Sequence, residues 1–209
     1  MTPDRPILLA TRSDGKLREL SGILTDAGLH GMTLEEAGID YSAEEDGIES
    51  FATFEENALA KARYFHRLSG IPTMADDSGL SVRALGGAPG VWSKRYSGRF
   101  DLSGQDLDDA NNAKLLLELS AAHDTAATYT CAASYVDENG EDVAVGETHG
   151  RILSEARGDQ GFGYDPYFFS TELGKTFGEA AALDKQAVSH RGRAFRALVD
   201  ALRRSGRAI

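Results

Sequence analysis

The stretch from Ala127 to His149 restricts the fold more than any other part of the chain. Ala127 to Val136 alternates polar and apolar residues, Asn139-Gly140 is a strong hairpin-turn pair, and Val143 to His149 supplies the return strand. Around this hairpin the sequence switches between strand and helix patterns. Ile7 to Ala10 reads as a short buried strand, and Leu17, Leu20 and Leu24 follow at helical spacing, with Gly28 as a stop. Thr53 and Glu56 form a capping-box pattern ahead of a helix with the apolar stripe Phe54, Ala58, Ala62 and Phe65, ended by Gly70-Ile71-Pro72. Thr73 to Ala75 is strand-like and runs into Asp76-Asp77-Ser78-Gly79, a turn sequence, after which Leu80 to Leu85 resumes an extended pattern. Gly86 to Gly90 is a loop, a third helix covers Ser103 to Leu119, and a last helix carries Val188, Phe195, Leu198 and Leu202 on one face. No internal repeat, low-complexity segment or linker interrupts this order. The expected fold class is mixed α/β with a long hairpin.

Size and charge narrow the function. A chain of 209 residues suits one domain or two tightly joined lobes, and 41% apolar residues are enough for a substantial core. Cys131 is the single cysteine, so no intramolecular disulfide can form and a reducing, cytoplasmic setting is expected. Met1 to Pro6 carries Asp4 and Arg5 and lacks the apolar run of a signal peptide. No stretch approaches the roughly 18 apolar residues of a membrane helix. A formal charge of −11 argues against a broad nucleic-acid surface. A small polyanion remains open to such a protein if a few cations gather locally and a metal joins them.

Four places carry candidate chemistry. The turn Thr11-Arg12-Ser13-Asp14-Gly15-Lys16 joins a strand to a helix, where unpaired backbone amides attract phosphate and a lysine adds a donor. It is no Walker A loop, because the first glycine is missing and Leu17 follows Lys16; its ordinary alternative is an N-cap with a solvated lysine. Asp76-Asp77-Ser78-Gly79 places adjacent carboxylates after a strand, where they could hold Mg2+ and orient a water; the alternative is an Asx-type turn. Glu44-Glu45-Asp46 adds acidity upstream and otherwise reads as a solvated loop.

The third place is Gly161-Phe162-Gly163-Tyr164-Asp165-Pro166, where glycines flanking an aromatic allow close approach of a flat ligand and Asp165 can accept from ring N–H groups. A buried turn with core aromatics is the competing reading. The fourth is Lys185 with Ser189-His190-Arg191, whose donor-only cations suit a keto oxygen or a phosphate, or else are helix-surface charges. His30, His66, His123, His149 and His190 show no zinc-ligand spacing. Cys131 in an alternating strand reads as a small core residue, and Trp92 beside Tyr96 as packing.

In their order and wording these motifs resemble the inosine triphosphate pyrophosphatase family, which acts on nonstandard purine nucleoside triphosphates. The likeness covers nearly the whole chain. It is carried by Ala10-Thr11 with Gly15-Lys16, Thr53-Phe54-Glu55-Glu56-Asn57-Ala58, Ala75 to Leu80, Gly86 to Gly90, Tyr96-Ser97-Gly98, Gly161 to Pro166 and Ser189-His190-Arg191-Gly192. The resemblance implies an elongated α/β fold with two lobes around a central substrate cleft, a homodimer, and hydrolysis between the α- and β-phosphates. It implies Asp77 as general base and metal ligand, Glu44 as a second Mg2+ ligand, and Thr11, Arg12, Ser13, Asp14, Gly15 and Lys16 at the phosphates with Ser78 nearby. Phe162 would stack on the base beside Gly163 and Tyr164, and Asp165, Lys185, His190 and Arg191 would read its edge. Two departures stand out. Ser13 replaces the family's usual Asn, and the segment from Glu44 to Thr53 is longer than in many relatives, which leaves Glu45 and Glu49 as alternatives to Glu44.

Physical chemistry agrees with that implication. A nucleoside triphosphate brings about four negative charges, which Mg2+ and Lys16 would offset. Attack on phosphorus needs positioning and charge stabilisation more than covalent chemistry. A nucleotide-binding sensor without efficient turnover is the competing class, motivated by Ser13 and the altered acidic segment; the pair Asp76-Asp77 favours an enzyme.

Overall fold

The computed structural model describes residues 6–207. Residues 1–5, part of the start that reads as lacking a leader, lie outside the described residues, as do 208 and 209. The apolar run Ile7–Leu9 forms β1, which pairs in parallel with β2 (Gly31–Met32) and β3 (Thr73–Val82). With β4 (Ala126–Asp137), β5 (Gly140–Ile152), β6 (Phe168–Ser170) and β7 (Lys175–Thr176), the described residues build one mixed sheet in the order β2-β1-β3-β4-β5-β6-β7. The last two pairings, β5 with β6 and β6 with β7, are antiparallel. The helices of the described residues are α1 (Asp14–Asp26), α2 (Phe54–Ser69), α3 (Gly104–Leu119), α4 (Ala182–Val188) and α5 (His190–Arg204). The mixed α/β expectation holds.

Local expectations are corrected in several places. The residues joining β4 and β5 are Glu138 and Asn139, one position earlier than expected, because Asp137 accepts from the Asn139 N–H at 2.7 Å and closes the turn there. Asp76-Asp77-Ser78-Gly79 is no turn, since β3 runs straight through it. Asp and Ser favour turns because their side chains compete for nearby backbone; here buried partners on the helices engage both carboxylates instead. The extended stretch stops at Val82, and Arg83–Leu85 winds into a 3-10 turn ended by Gly86 at φ +64°. The last helix is two helices, because Ser189 is extended (φ −67°, ψ 150°), so Val188 ends α4 and does not share the face of Phe195, Leu198 and Leu202.

The starts of α1 and α2 follow capping rules, the second with a variation. Ser13 caps α1 and Thr53 caps α2, each accepting from the backbone N–H three residues on. The reciprocal bond expected at Thr53 and Glu56 closes through the Thr53 hydroxyl, which donates to the Glu56 carboxylate at 2.9 Å. A full capping box lies at Ser42 and Glu45, opening a 3-10 helix over Ala43–Gly47.

Contacts divide the chain into two compact units. The first holds the described residues up to Asp77, Cys131–Gly146 and the chain from Arg191; the second holds Ser78–Thr130 and Glu147–His190. Strand alternation organises the first unit. Ile7, Leu9 and Met74 pack with Leu20 and Leu24 of α1 and with Phe195, Leu198 and Leu202 of α5, whereas Leu8, Ala10 and Ala75 pack with Ala62 and Phe65 of α2. In the second unit Leu80, Val82, Tyr129, Phe168 and Phe177 pack with Leu115 and Leu119 of α3.

Candidate active site

The same alternation separates the two neighbouring carboxylates of β3. Asp76 shares the parity of Met74 and meets α1 and α5; Asp77 shares that of Ala75 and meets α2. Asp76 is fully buried, and its Oδ2 receives Lys16 Nζ at 3.1 Å and Arg191 Nε and Nη2 at 3.2 and 3.1 Å. Burial alone would raise its pKa, but Lys16, Arg191 and Lys61 outweigh that and hold Asp76 far below the ordinary carboxylate range. Asp77, also buried, accepts from Asn57 Nδ2 at 2.9 Å. Burial raises it above its ordinary value; Glu49 adds to the rise, and Lys16, Lys61 and the Asn57 amide offset part of it. One member of the pair is a fixed anion, and the other is pushed toward holding a proton. That split suits acid–base chemistry.

The turn before α1 is shaped around this pair. Ser13 Oγ accepts from Lys16 N at 3.4 Å, and Thr11 Oγ1 accepts from Ser13 N at 3.2 Å. Asp14 and Gly15 open the helix, where an anion would meet backbone N–H groups at its positive end. Arg12 is tied to the acidic segment. Its Nε and Nη2 donate to the two oxygens of Glu45, both at 2.7 Å, and Nη2 also reaches Ile39 O at 3.2 Å.

The glutamates of that segment go to different places. Glu44 accepts from the Tyr64 hydroxyl at 3.4 Å and lines a hollow with Ile39, Tyr64, Leu68 and Ile71. Glu45 holds Arg12. Glu49 pairs with the buried Lys61, whose Nζ also donates to the Asp76 carbonyl, and lies near enough to Asp77 for its charge to raise it. Glu49 is thus tied through Lys61 to the backbone of the Asp76-Asp77 pair, whereas Glu44 meets Tyr64. The motifs assign no role to Asn57 or Lys61. Their signal lies in the spacing, because both fall on the buried face of α2 with Ala58 and Ala62.

In the second unit, the loop from Gly161 to Asp165 is built on a buried ion pair. Lys185 Nζ donates to Asp165 Oδ2 at 2.6 Å, with both residues buried, and the same oxygen accepts from Phe162 N at 2.8 Å. Gly161 has φ +80°, and a Cβ there would fall 2.2 Å from that oxygen, so only glycine fits. The ammonium of Lys185 also lies 5.1 Å from the Phe162 ring centroid and 5.4 Å from that of Phe177. His190 stacks on Tyr129 at 4.4 Å between centroids, a partner that no sequence pattern indicates. Ser78 sits half-buried on β3.

Tyr164 and Arg191, both expected at the base, have well-defined protein partners. Tyr164 is buried in the core of the second unit, and its hydroxyl donates to Ser93 O at 2.8 Å. Arg191 joins the first unit, where its guanidinium binds Asp76 and Glu19. Trp92, expected to pack, is 60% exposed under the Arg95 guanidinium. Cys131 is buried beside Asp76, as a core residue should be.

The first unit offers a helix start with Lys16 on a split carboxylate pair, features that suit a polyanion. The second offers an aromatic loop on a buried Lys–Asp pair, features that suit a flat polar ring. Together they define an α/β protein of the nucleotide-handling class, and comparison with known proteins agrees. A sequence model of the Ham1 family matches residues 7–201. The chain is 45% identical to the dITP/XTP pyrophosphatase of Ralstonia nicotianae, across 95% of this chain and 97% of that one. It is 47% identical to the dITP/XTP pyrophosphatase of Mycolicibacterium paratuberculosis, across 97% and 98%. Among solved structures, the Staphylococcus aureus Ham1 protein superposes with a TM-score of 0.80 at 34% identity, covering 96% of this chain and 99% of its own. This protein belongs to the Ham1 family.

Proposed function

We propose that the protein hydrolyses nonstandard purine nucleoside triphosphates, such as inosine, deoxyinosine and xanthosine triphosphates, to the monophosphate and pyrophosphate. The observation that carries this reading is the divided pair on β3, with Asp76 locked to Lys16 and Arg191 and Asp77 turned to Asn57. The names of the relatives, dITP/XTP pyrophosphatase, point the same way. In this reading Lys16 serves the triphosphate, and Lys185 with Asp165 reads the base. Lys16 and the first N–H groups of α1 bind the phosphates, and Asp76 holds the Lys16 ammonium in place. Asp77 accepts the proton of the attacking water as the bond to the pyrophosphate leaving group breaks.

The reaction calls for a divalent cation, and the donor set fits Mg2+. Among the described residues no three His, Cys, Asp or Glu side chains converge as a metal cage. Mg2+ does not need one, because it binds through one or two carboxylates and takes waters and substrate phosphates as its remaining ligands. Asp77 and Glu49 would hold it. When bound, it supplies charge neutralisation at the phosphates.

Pyrophosphate release from a panel of triphosphates tests the reading. Excess chelator should abolish release and added Mg2+ restore it, whereas a sensor would bind the nucleotides without releasing pyrophosphate. The choice of glutamate is tested in the same assay. Glu49→Gln should lower turnover by roughly a hundredfold and raise the Mg2+ concentration needed, because one of two anionic ligands is lost. Glu44→Gln should stay within about threefold of wild type, since Glu44 meets Tyr64. The reverse ranking would return the metal to Glu44.

The family resemblance adds a homodimer in the cytoplasm to this proposal. No helix of the described residues is long and apolar enough to cross a membrane. Trp92, Phe100 and Leu117 of the second unit are exposed by 60%, 79% and 73%, apolar surface that a partner subunit would cover. Analytical ultracentrifugation decides between monomer and dimer.

A further inference from the structure

The loop that carries Phe162 has glycines with positive φ on both sides, Gly161 at +80° and Gly163 at +62°. Such a segment has little preference for one shape, so a ring mounted on it is only as well placed as the bonds that hold its peptides. Asp165 holds the Phe162 N–H from within the loop. The neighbouring Gly163 is held from outside it, by two residues one turn apart on α3. Asp108 Oδ2 accepts from Gly163 N at 2.8 Å, and Asn112 Nδ2 donates to Gly163 O at 3.0 Å.

We propose that Asp108 and Asn112 are positioning residues for base recognition, clamping both sides of Gly163 so that the Phe162 ring is fixed before a purine arrives. The inference rests on the reading of Phe162 as the base platform. Two features set the clamp apart from ordinary packing. Asn112 is only 6% exposed and its Oδ1 has no hydrogen-bond partner among the described residues, so the side chain is oriented for its one bond to Gly163 and not for its own satisfaction. Asp108 stays at Gly163 although burial, Asp165 and Asp109 all oppose its negative charge, with the Gly163 N–H and Lys94 offsetting them in part. Preorganising a ligand contact in this way strengthens binding by removing the ordering cost.

Calorimetry with inosine monophosphate and, separately, with pyrophosphate and Mg2+ tests the clamp, because the two products report on residues of different units. Asp108→Ala should weaken inosine monophosphate about tenfold or more, while leaving pyrophosphate within about twofold. Asp108→Asn, which keeps an acceptor oxygen, should restore most of the loss. Asn112→Asp, nearly isosteric, sets an oxygen against the Gly163 carbonyl and should weaken inosine monophosphate as Asp108→Ala does; it carries the test if the alanine variant does not fold. Wild-type affinity in Asp108→Ala and Asn112→Asp overturns the clamp, and so does an equal loss of both ligands, which would mark a general structural role. Wild-type protein that binds neither product refutes the proposed function itself.

Discussion

Asp77→Asn is expected to lower turnover of inosine triphosphate roughly a thousandfold or more while leaving the thermal midpoint within a few degrees of wild type. The side chain is nearly isosteric, and its hydrogen bond with Asn57 at 2.9 Å can survive if the new amide presents its oxygen. What disappears is the carboxylate proposed to accept the proton of the attacking water and, with Glu49, to hold the cation. Asp76→Asn gives the contrasting result. It leaves Lys16 and Arg191 facing a neutral amide in a buried site, so stability falls along with activity, by about 3–5 kcal/mol for breaking a buried pair from one side. Steady-state kinetics and thermal unfolding of the two variants decide the assignment. A near-wild-type rate in Asp77→Asn would exclude it as the base, and an Asp76 variant of unchanged stability would remove the anchoring role given to its neighbour.

These two carboxylates also mark where local sequence stops being informative. Helices announce themselves through caps and apolar spacing, as at Ser13 before α1 and Thr53 before α2. The long hairpin is legible from the polar and apolar alternation that starts at Ala127, although β4 is buried on both faces from Cys131 on. Asp76-Asp77-Ser78-Gly79 misleads because turn propensity is a local quantity, whereas the partners that keep these residues in β3 come from Asn57, Lys16 and Arg191, distant along the chain. Once the strand is known to continue, alternation alone assigns the two carboxylates to different helices and hence to different duties. Among Glu44, Glu45 and Glu49 the charge pattern holds no ranking, because each finds its own cation or hydroxyl only in three dimensions. Ser189-His190-Arg191 reads as one group because a motif orders residues by position. The break at Ser189 leaves His190 in one unit and Arg191 in the other.

Lys185 is the donor proposed to read the base, and its buried pairing with Asp165 sharpens the expected specificity. Lys185 offers only donors and an ionised Asp165 only acceptors. Hypoxanthine and xanthine present a 6-oxygen, which suits the ammonium, and an N1–H, which suits a carboxylate. Adenine reverses both, with a 6-amino group and a bare N1. The ion pair is buried and its geometry is fixed by the Lys185–Asp165 contact of 2.6 Å and the Phe162 N–H, so neither side chain can turn away to suit the wrong base without leaving a charge poorly matched. Mismatches of this kind cost about 1–3 kcal/mol each and more where a charge is involved, which amounts to roughly a hundredfold or more in kcat/KM. Inosine and xanthosine triphosphates should therefore be cleaved at least about a hundredfold more efficiently than ATP. Lys185→Met, similar in length but without the donor, should shrink that ratio mainly by lowering kcat/KM for inosine triphosphate. Competition assays with both triphosphates present measure the ratio directly. Equal kcat/KM for ATP and inosine triphosphate in the wild type would reduce the protein to a general triphosphate pyrophosphatase, and a ratio unchanged in Lys185→Met would move base recognition away from the buried pair.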